Sequence, residues 1–365
     1  MSEILDNITA QDQLDTSHLY QSIVDLAKQC SHAYTQANEL KITPQPVKQL
    51  IISGMGGSGL AARIIESLYA PKLNVPFSRI NDYHLPLWVN EDTLVICSSY
   101  SGNTEETLQT FQDALAKKCQ IFIIGAGGEL AALAQQNNLP MYKIDPVYNP
   151  SQQPRMAIGY SLIGQLVLVA KTGLLTVTDA DLEQIKTTLT QVVKTNHREI
   201  PTKDNPAKQL AQALHSQQVV MVAAQHLTGA FHVVKNQMNE NAKQLSHRHD
   251  LPELNHHLME GLRFPLTNPQ NVAFWIINSQ LYSQKLQTRV KLTRDVIQKN
   301  KIKVFEFSVT APTKLTQVFE LIQFGSFVNY YLTVLNGLNP ASIPWVNYFK
   351  KHLQGTSLQA NFPNQ

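Results

Sequence analysis

The chain has 365 residues, 43% of them hydrophobic and 16% charged, with a formal net charge of +3. That length suits two domains or two fused lobes, and the composition is that of a globular protein with an ample core. A weak net charge with no lysine/arginine block argues against nucleic acid as a partner. Cys30, Cys97 and Cys119 form no C-x-x-C pair, which suits a reducing compartment. The opening residues MSEILDNITAQDQLDT are polar and acidic, with no apolar signal core. The longest apolar stretch, Tyr160 to Val177, is broken by Gln165, Lys171 and Gly173 and reads as a buried helix, so no membrane is expected as a partner. The expected location is cytoplasmic.

The periodicity predicts an opening helix over about 17–40, a strand over 47–53, a glycine loop and a helix over 60–69. A strand over 75–80 follows, then the fully apolar run Asp92 to Ser99, typical of a central parallel strand. A helix over 105–118, a strand over 120–126 and the helix GGELAALAQQN continue the alternation. Residues 145–155 are a loop, 158–174 an apolar helix, 178–195 an amphipathic helix and 197–206 a linker. Strands over 218–224, 272–279 and 303–309 then alternate with helices over 228–245, 285–300 and 313–335. The fold class is therefore α/β: two doubly wound lobes, each a mainly parallel sheet flanked by helices. We place the lobes at 1–155 and 207–365, with connecting helices and linker at 156–206. The long apolar helix over 313–335 is a candidate surface for self-association.

In the first lobe IISGMGGSGL places a glycine turn between a strand and a helix, an anion site because free N–H groups and the helix dipole face the ligand. Gly54, Gly56 and Gly59 match G-x-G-x-x-G, and a dinucleotide site wants an acid about 20 residues on; Asp82 stands at that spacing. A second loop, Ser98-Ser99-Tyr100-Ser101-Gly102-Asn103-Thr104, follows the most apolar strand and opens another helix. Capping by Asn103 or Thr104 accounts for two of these residues, not for the serines before them. Two such loops at the switch point of a sheet suit the phosphate of a phosphosugar better than a dinucleotide. The second lobe has AAQHLTGA where the first has SGMGGSGL, so phosphate binding belongs to the first.

GMGGSG together with SSYSGNTEET resembles the sugar isomerase (SIS) domain pattern. The resemblance implies that Gly57, Ser58, Ser99, Ser101 and Thr104 hold a sugar phosphate. Further on, NENAK and LPELNHH resemble the bifunctional phosphoglucose/phosphomannose isomerases, a branch of that superfamily, as does Pro154-Arg155 followed by Gly159-Tyr160-Ser161. Periodicity alone reads Glu240 as a solvated acid beside Lys243, about 200° around the helix from the buried position Met238. The resemblance instead makes Glu240 the catalytic carboxylate and His256 the catalytic histidine. It implies Lys350, or with a poorer match Lys351, as a lysine reaching the site from a final helix. It also implies a homodimer with a shared active site, the histidine coming from the partner subunit.

The chemistry wants these groups. Aldose–ketose isomerisation moves a proton between C1 and C2 through a cis-enediolate, which suits one carboxylate base, Glu240. Developing charge on the enediolate oxygens wants a fixed cation, which the resemblance implies is Arg155, and a histidine near neutral pH suits ring opening. Hexose 6-phosphates are the implied substrates, and no cofactor is required. His247, His249, His256 and His257 lie close in sequence to Glu253 and Glu260, but without a tight helical ligand pair such as H-E-x-x-H, so no metal is expected. A regulatory protein that binds phosphosugars without turnover is the alternative, though no spare basic segment is present for the DNA-binding module such sensors carry.

Overall fold

A computed structural model describes residues 2–43 and 45–353. Its helices of nine residues or more are α1 (Leu26–Glu39), α2 (Gly56–Tyr69), α3 (Glu105–Ala116), α4 (Gly128–Gln136), α5 (Ile158–Ala170), α6 (Asp179–Asn196), α7 (Pro206–Leu214), α8 (Thr228–Gln237), α9 (Gln284–Lys299), α10 (Lys314–Leu335) and α11 (Pro344–Leu353). The strands are β1 (Gln49–Ser53), β2 (Phe77–Ile80), β3 (Thr93–Ser98), β4 (Gln120–Gly125), β5 (Met141–Lys143), β6 (Gln218–Ala224), β7 (Ser246–Leu251), β8 (Val272–Ser279) and β9 (Lys303–Val309).

The first sheet runs β2-β1-β3-β4-β5 and the second β7-β6-β8-β9, with every pairing parallel. Both follow the flavodoxin-like order, which reverses direction between its first and third strands. The expected pair of doubly wound α/β lobes is therefore present. Burial explains the central strands: every residue of β3 is buried, as a strand covered on both faces requires.

Two strands escaped the sequence reading for opposite reasons. β5 is only three residues long. β7 reads SHRHDL, and its side chains are mostly polar because it lies at the edge of its sheet. The predicted opening helix is broken at Asp25, which both ends the helix Leu19–Val24 and precedes α1. Two further short helices, Ser2–Asp6 and Ile8–Leu14, come before it.

One apolar core runs through both lobes, and α10 is its axis, buried from Leu315 to Val334. Several of its polar side chains donate inside the protein. Gln323 donates to the Ile23 carbonyl (2.8 Å), Asn329 to the Val234 carbonyl (2.9 Å) and the Tyr331 hydroxyl to the Asn196 carbonyl (2.6 Å). This corrects the reading of 313–335 as a self-association surface. Among the described residues it is the one helix long and apolar enough to cross a membrane, yet 94% of that stretch is buried in the fold. The segment 197–206 is held to the fold by hydrogen bonds. Buried Lys208 donates to the carbonyls of Arg198 (2.7 Å) and Ile200 (2.8 Å) and pairs with Asp6 at 2.9 Å.

Phe327 is fully buried on α10 between Tyr20 and Tyr331. Phe327→Ala is expected to cost about 3–5 kcal/mol. In urea unfolding the midpoint should fall with the slope unchanged.

Candidate active site

The carboxyl ends of β1 and β3 meet at the switch point of the first sheet, and both candidate loops leave from there. They are sewn together. The Tyr100 amide donates to Ser58 Oγ at 2.8 Å, and Ser98 Oγ donates to the Ser58 carbonyl at 3.1 Å. Ser99 Oγ and Thr104 Oγ1 share a hydrogen bond of 2.9 Å, and Ser99 Oγ also accepts from the Gly102 amide at 3.1 Å. Ser101 is exposed, its Oγ accepting from the Asn103 amide at 3.3 Å.

Neither α2 nor α3 carries a side-chain cap at its N-terminus. Thr104 holds the N-cap position of α3 without bonding its amides, and Asn103 accepts instead from the Glu129 amide at the start of α4 (2.9 Å). The expected capping role is thus absent. Two helix starts with open amides converge where Gly57, Ser58, Ser99, Ser101 and Thr104 gather, an arrangement suited to an anion. Asp82 lies apart, exposed beyond the edge strand β2, its carboxylate accepting from the Tyr83 amide at 2.7 Å.

Gly57 has a further task. A Cβ there would sit 2.8 Å from the Arg155 nitrogen and 2.8 Å from the Pro154 carbonyl carbon. Only glycine lets the first loop lie this close to the Pro154–Arg155 backbone. Arg155 is 1% exposed. Its Nε donates to Asn241 Oδ1 at 2.5 Å. One terminal nitrogen reaches Gln153 Oε1 (2.8 Å) and Glu240 Oε2 (3.4 Å), and the other reaches the carbonyls of Pro340 (3.0 Å) and Ala341 (3.1 Å). The five donors of the guanidinium thus face five protein acceptors. The end of α8 and the approach to α11 converge on this side chain, and the first-lobe loop lies against its backbone.

Glu240 arrives there by a change of helical pitch. The α-helix stops at Gln237 and Met238–Ala242 form a π turn, closed by Lys243 in the left-handed conformation (φ 53°). The predicted helix therefore ends early, and Leu245, expected in its buried stripe, is exposed. Such π turns recur at functional sites because the wider turn re-aims a side chain. The Glu240 side chain is 28% exposed. Burial pushes its carboxyl above the usual range, against the pull of Arg155, Lys350, Lys235 and Lys243. Lys350, in the last turn of α11, therefore bears on Glu240; Lys351 is exposed beside it.

Lys243 is more than the solvated partner that periodicity suggests. It donates to the carbonyls of Asn241 (2.9 Å) and Asn339 (2.7 Å), and burial pushes its ammonium down to about 8. Gln153 and Asn241 are site residues that sequence reasoning passes over. Their only signal there is adjacency to Arg155 and Glu240.

His256 lies elsewhere. It is exposed on the short turn Glu253–His256, just after the carboxyl end of β7. Asn239 binds the first residue of β7, accepting from Ser246 N (3.0 Å) and Ser246 Oγ (2.8 Å). Glu240 therefore precedes β7 and His256 follows it, one at each end of the six-residue strand. The fold brings Glu240, Arg155, Lys350 and the two loops together, and leaves His256 of the same chain outside. His247 and His249 sit on β7 with the His249 and His257 rings 6.0 Å apart. Among the described residues no three His, Cys, Asp or Glu side chains gather in metal-ligand fashion.

The corresponding crevice of the second lobe is closed by its own side chains. The Tyr282 hydroxyl accepts from the Ala224 amide at 3.1 Å. Gln317 Oε1 bridges His226 Nε2 (2.9 Å) and Ser279 Oγ (2.7 Å).

Two parallel sheets of this order, with an open pair of helix starts in the first, define a double sugar isomerase (SIS) domain protein. The crystal structure of a hypothetical protein from Thermus thermophilus shares the fold at 16% identity, with a TM-score of 0.73 over 95% of this chain and 93% of that one. So does the C-terminal domain of glucosamine-fructose-6-phosphate aminotransferase from Francisella tularensis, at 12% identity, with a TM-score of 0.62 over 87% and 95%. The family model for the bacterial phospho-glucose isomerase C-terminal SIS domain matches residues 203–353. A bifunctional phosphoglucose/phosphomannose isomerase of Caldicellulosiruptor bescii is 29% identical, covering 92% of this chain and 98% of its own. One from Thermoplasma volcanium is 28% identical, covering 84% and 91%. Along most of its length the chain is thus similar to the bifunctional phosphoglucose/phosphomannose isomerases, which are isomerase enzymes.

Gly57→Ala must push the loop off the Pro154–Arg155 backbone, since no flexible side chain is there to yield. It should weaken anion binding at the two loops. Inorganic phosphate, which is expected to raise the melting temperature of the parent protein, should then do so far less.

Proposed function

We propose that the protein is an aldose–ketose isomerase interconverting glucose 6-phosphate, and also mannose 6-phosphate, with fructose 6-phosphate. The observation that carries this reading is the meeting of a partly buried carboxylate, Glu240, with the saturated guanidinium of Arg155, a residue whose backbone lies against an uncapped phosphate-type cradle. Gly57, Ser58, Ser99, Ser101 and Thr104 hold the phosphate of the substrate. The exposed Ser101 and the open amides of α2 and α3 are its donors, while Ser58, Ser99 and Thr104 shape the loops through their mutual hydrogen bonds.

The sugar enters as a closed ring, and His256 of the partner subunit trades a proton with the ring oxygen. Glu240 then removes the proton from one of C1 and C2 and returns it to the other. The bond from Arg155 to Glu240 is its longest, at 3.4 Å, and is the one exchanged for an enediolate oxygen. Lys350 adds a second cation. No step calls for a redox cofactor or metal. The separation of Glu240 from His256 along β7 supports a homodimer with shared sites. The free cysteines, two of them buried, support a cytoplasmic location.

Glu240→Gln should lower kcat by roughly 10²–10⁴ or more on both aldose phosphates. Fructose 6-phosphate should still protect the variant against heat. A coupled assay with and without chelator reads this, and retained turnover would remove Glu240 as the base.

The acid limb of the kcat profile should lie above the ordinary carboxylate range, because burial raises Glu240 and activity is lost as pH falls through that value. Lys350 pulls the carboxyl down, so Lys350→Met should move the limb further up. An unmoved limb would separate Lys350 from Glu240.

A further inference from the structure

The helix that carries Lys350 has no burial of its own. None of the ten residues of α11 is buried. Trp345, Phe349 and Leu353 stand at i, i+4 and i+8, one face of a helix, and are 65%, 63% and 52% exposed. Such a stripe on a short helix is a face made for burial.

A matching surface lies beside His256. The turn Glu253–His256 and the short helix Leu258–Gly261 pack against α9, leaving a groove of about 530 Å³ lined by Asn255, Met259, Leu292, Thr293 and Val296, with Arg289 at its wall. Its floor is preformed: Asn255 donates to Thr293 Oγ1 at 2.8 Å and accepts from Arg289 at 3.0 Å. Leu292 is 59% exposed at its rim.

We infer that the apolar stripe of α11 docks into this groove on a second copy of the chain. The inference rests on the proposed shared site. If His256 of the partner subunit is delivered to Glu240, its neighbour Asn255 and the groove arrive beside α11, because Lys350 of that helix bears on the same carboxylate. A two-fold dimer makes the contact twice, each copy giving a helix and receiving one. The two aromatic residues bury roughly 150–250 Å² each. Doubled by symmetry, that is a substantial part of the roughly 1,600 Å² of a stable interface. Docking would fix α11, and with it Lys350, only in the assembled dimer.

The test uses the full chain with Cys119→Ser, since Cys30 and Cys97 are buried. Leu292→Cys and Phe349→Cys chains are co-expressed and treated with a short bismaleimide. A covalent dimer is expected from the pair and not from either chain alone. Phe349→Asp should raise the dimer dissociation constant at least tenfold in sedimentation velocity, with the circular dichroism unchanged. No cross-link in the pair, or an unaltered dissociation constant, overturns the docking. Co-expressed Glu240→Gln and His256→Ala chains report separately on the shared site, since only a mixed dimer restores an intact one. Restored activity without a cross-link rejects the docking and keeps the shared site. A cross-link without restored activity does the reverse, and a monomer at all concentrations rejects both.

Discussion

Arg155 holds a full charge where almost no water reaches it, and a buried charge is tolerated only when every donor is satisfied. Its five acceptors come from three separate parts of the chain: Gln153 beside it, Asn241 and Glu240 at the end of α8, and the carbonyls of Pro340 and Ala341. Satisfying one side chain therefore brings the two lobes and the C-terminal helix to a common point. The cost of leaving any one donor unpaired keeps them there. Burial lowers the affinity of the guanidinium for its proton, with Glu240 opposing that trend; the group still stays charged.

The same point is where the two sheets face one another by opposite ends. The loops of the first lobe leave the carboxyl ends of β1 and β3, while Glu240 lies at the return end of α8, where β7 begins. A duplicated fold thus uses its two halves unequally. The first keeps its switch point open, with glycines and uncapped helices. The second fills its own with Tyr282, His226 and Gln317, and contributes instead the far end of a helix. The π turn is the local device that makes this end useful, since it shifts Glu240 and Asn241 toward Arg155 without lengthening the helix.

Electrostatics at the site is a contest between burial and four cations. Desolvation wins at Glu240 and leaves it a stronger base than a surface carboxylate, in keeping with proton abstraction from carbon. Lys243 feels the same burial from the other side and loses part of its hold on its proton. Its bond to the Asn339 carbonyl, next to the two carbonyls held by Arg155, stiffens the segment that leads into α11.

Much of this was legible in the residues themselves. Strand and helix periods imply the alternating α/β plan, because a strand buried on both faces must be apolar throughout and an amphipathic helix must repeat every three to four residues. The glycine and serine loops could be read because close backbone approach admits few residue types. What periodicity could not supply was anything set by contacts distant along the chain. β7 is polar because it lies at an edge, and α10 is apolar on every side because both lobes wrap it; neither fact is local. Glu240 reads as a surface acid until the π turn, Arg155 and the lysines stand around it. Glu240 and His256, sixteen apart in sequence, stand one before and one after a single extended strand, and the tertiary structure alone decided this, because pairing at a sheet edge and not local periodicity makes β7 a strand.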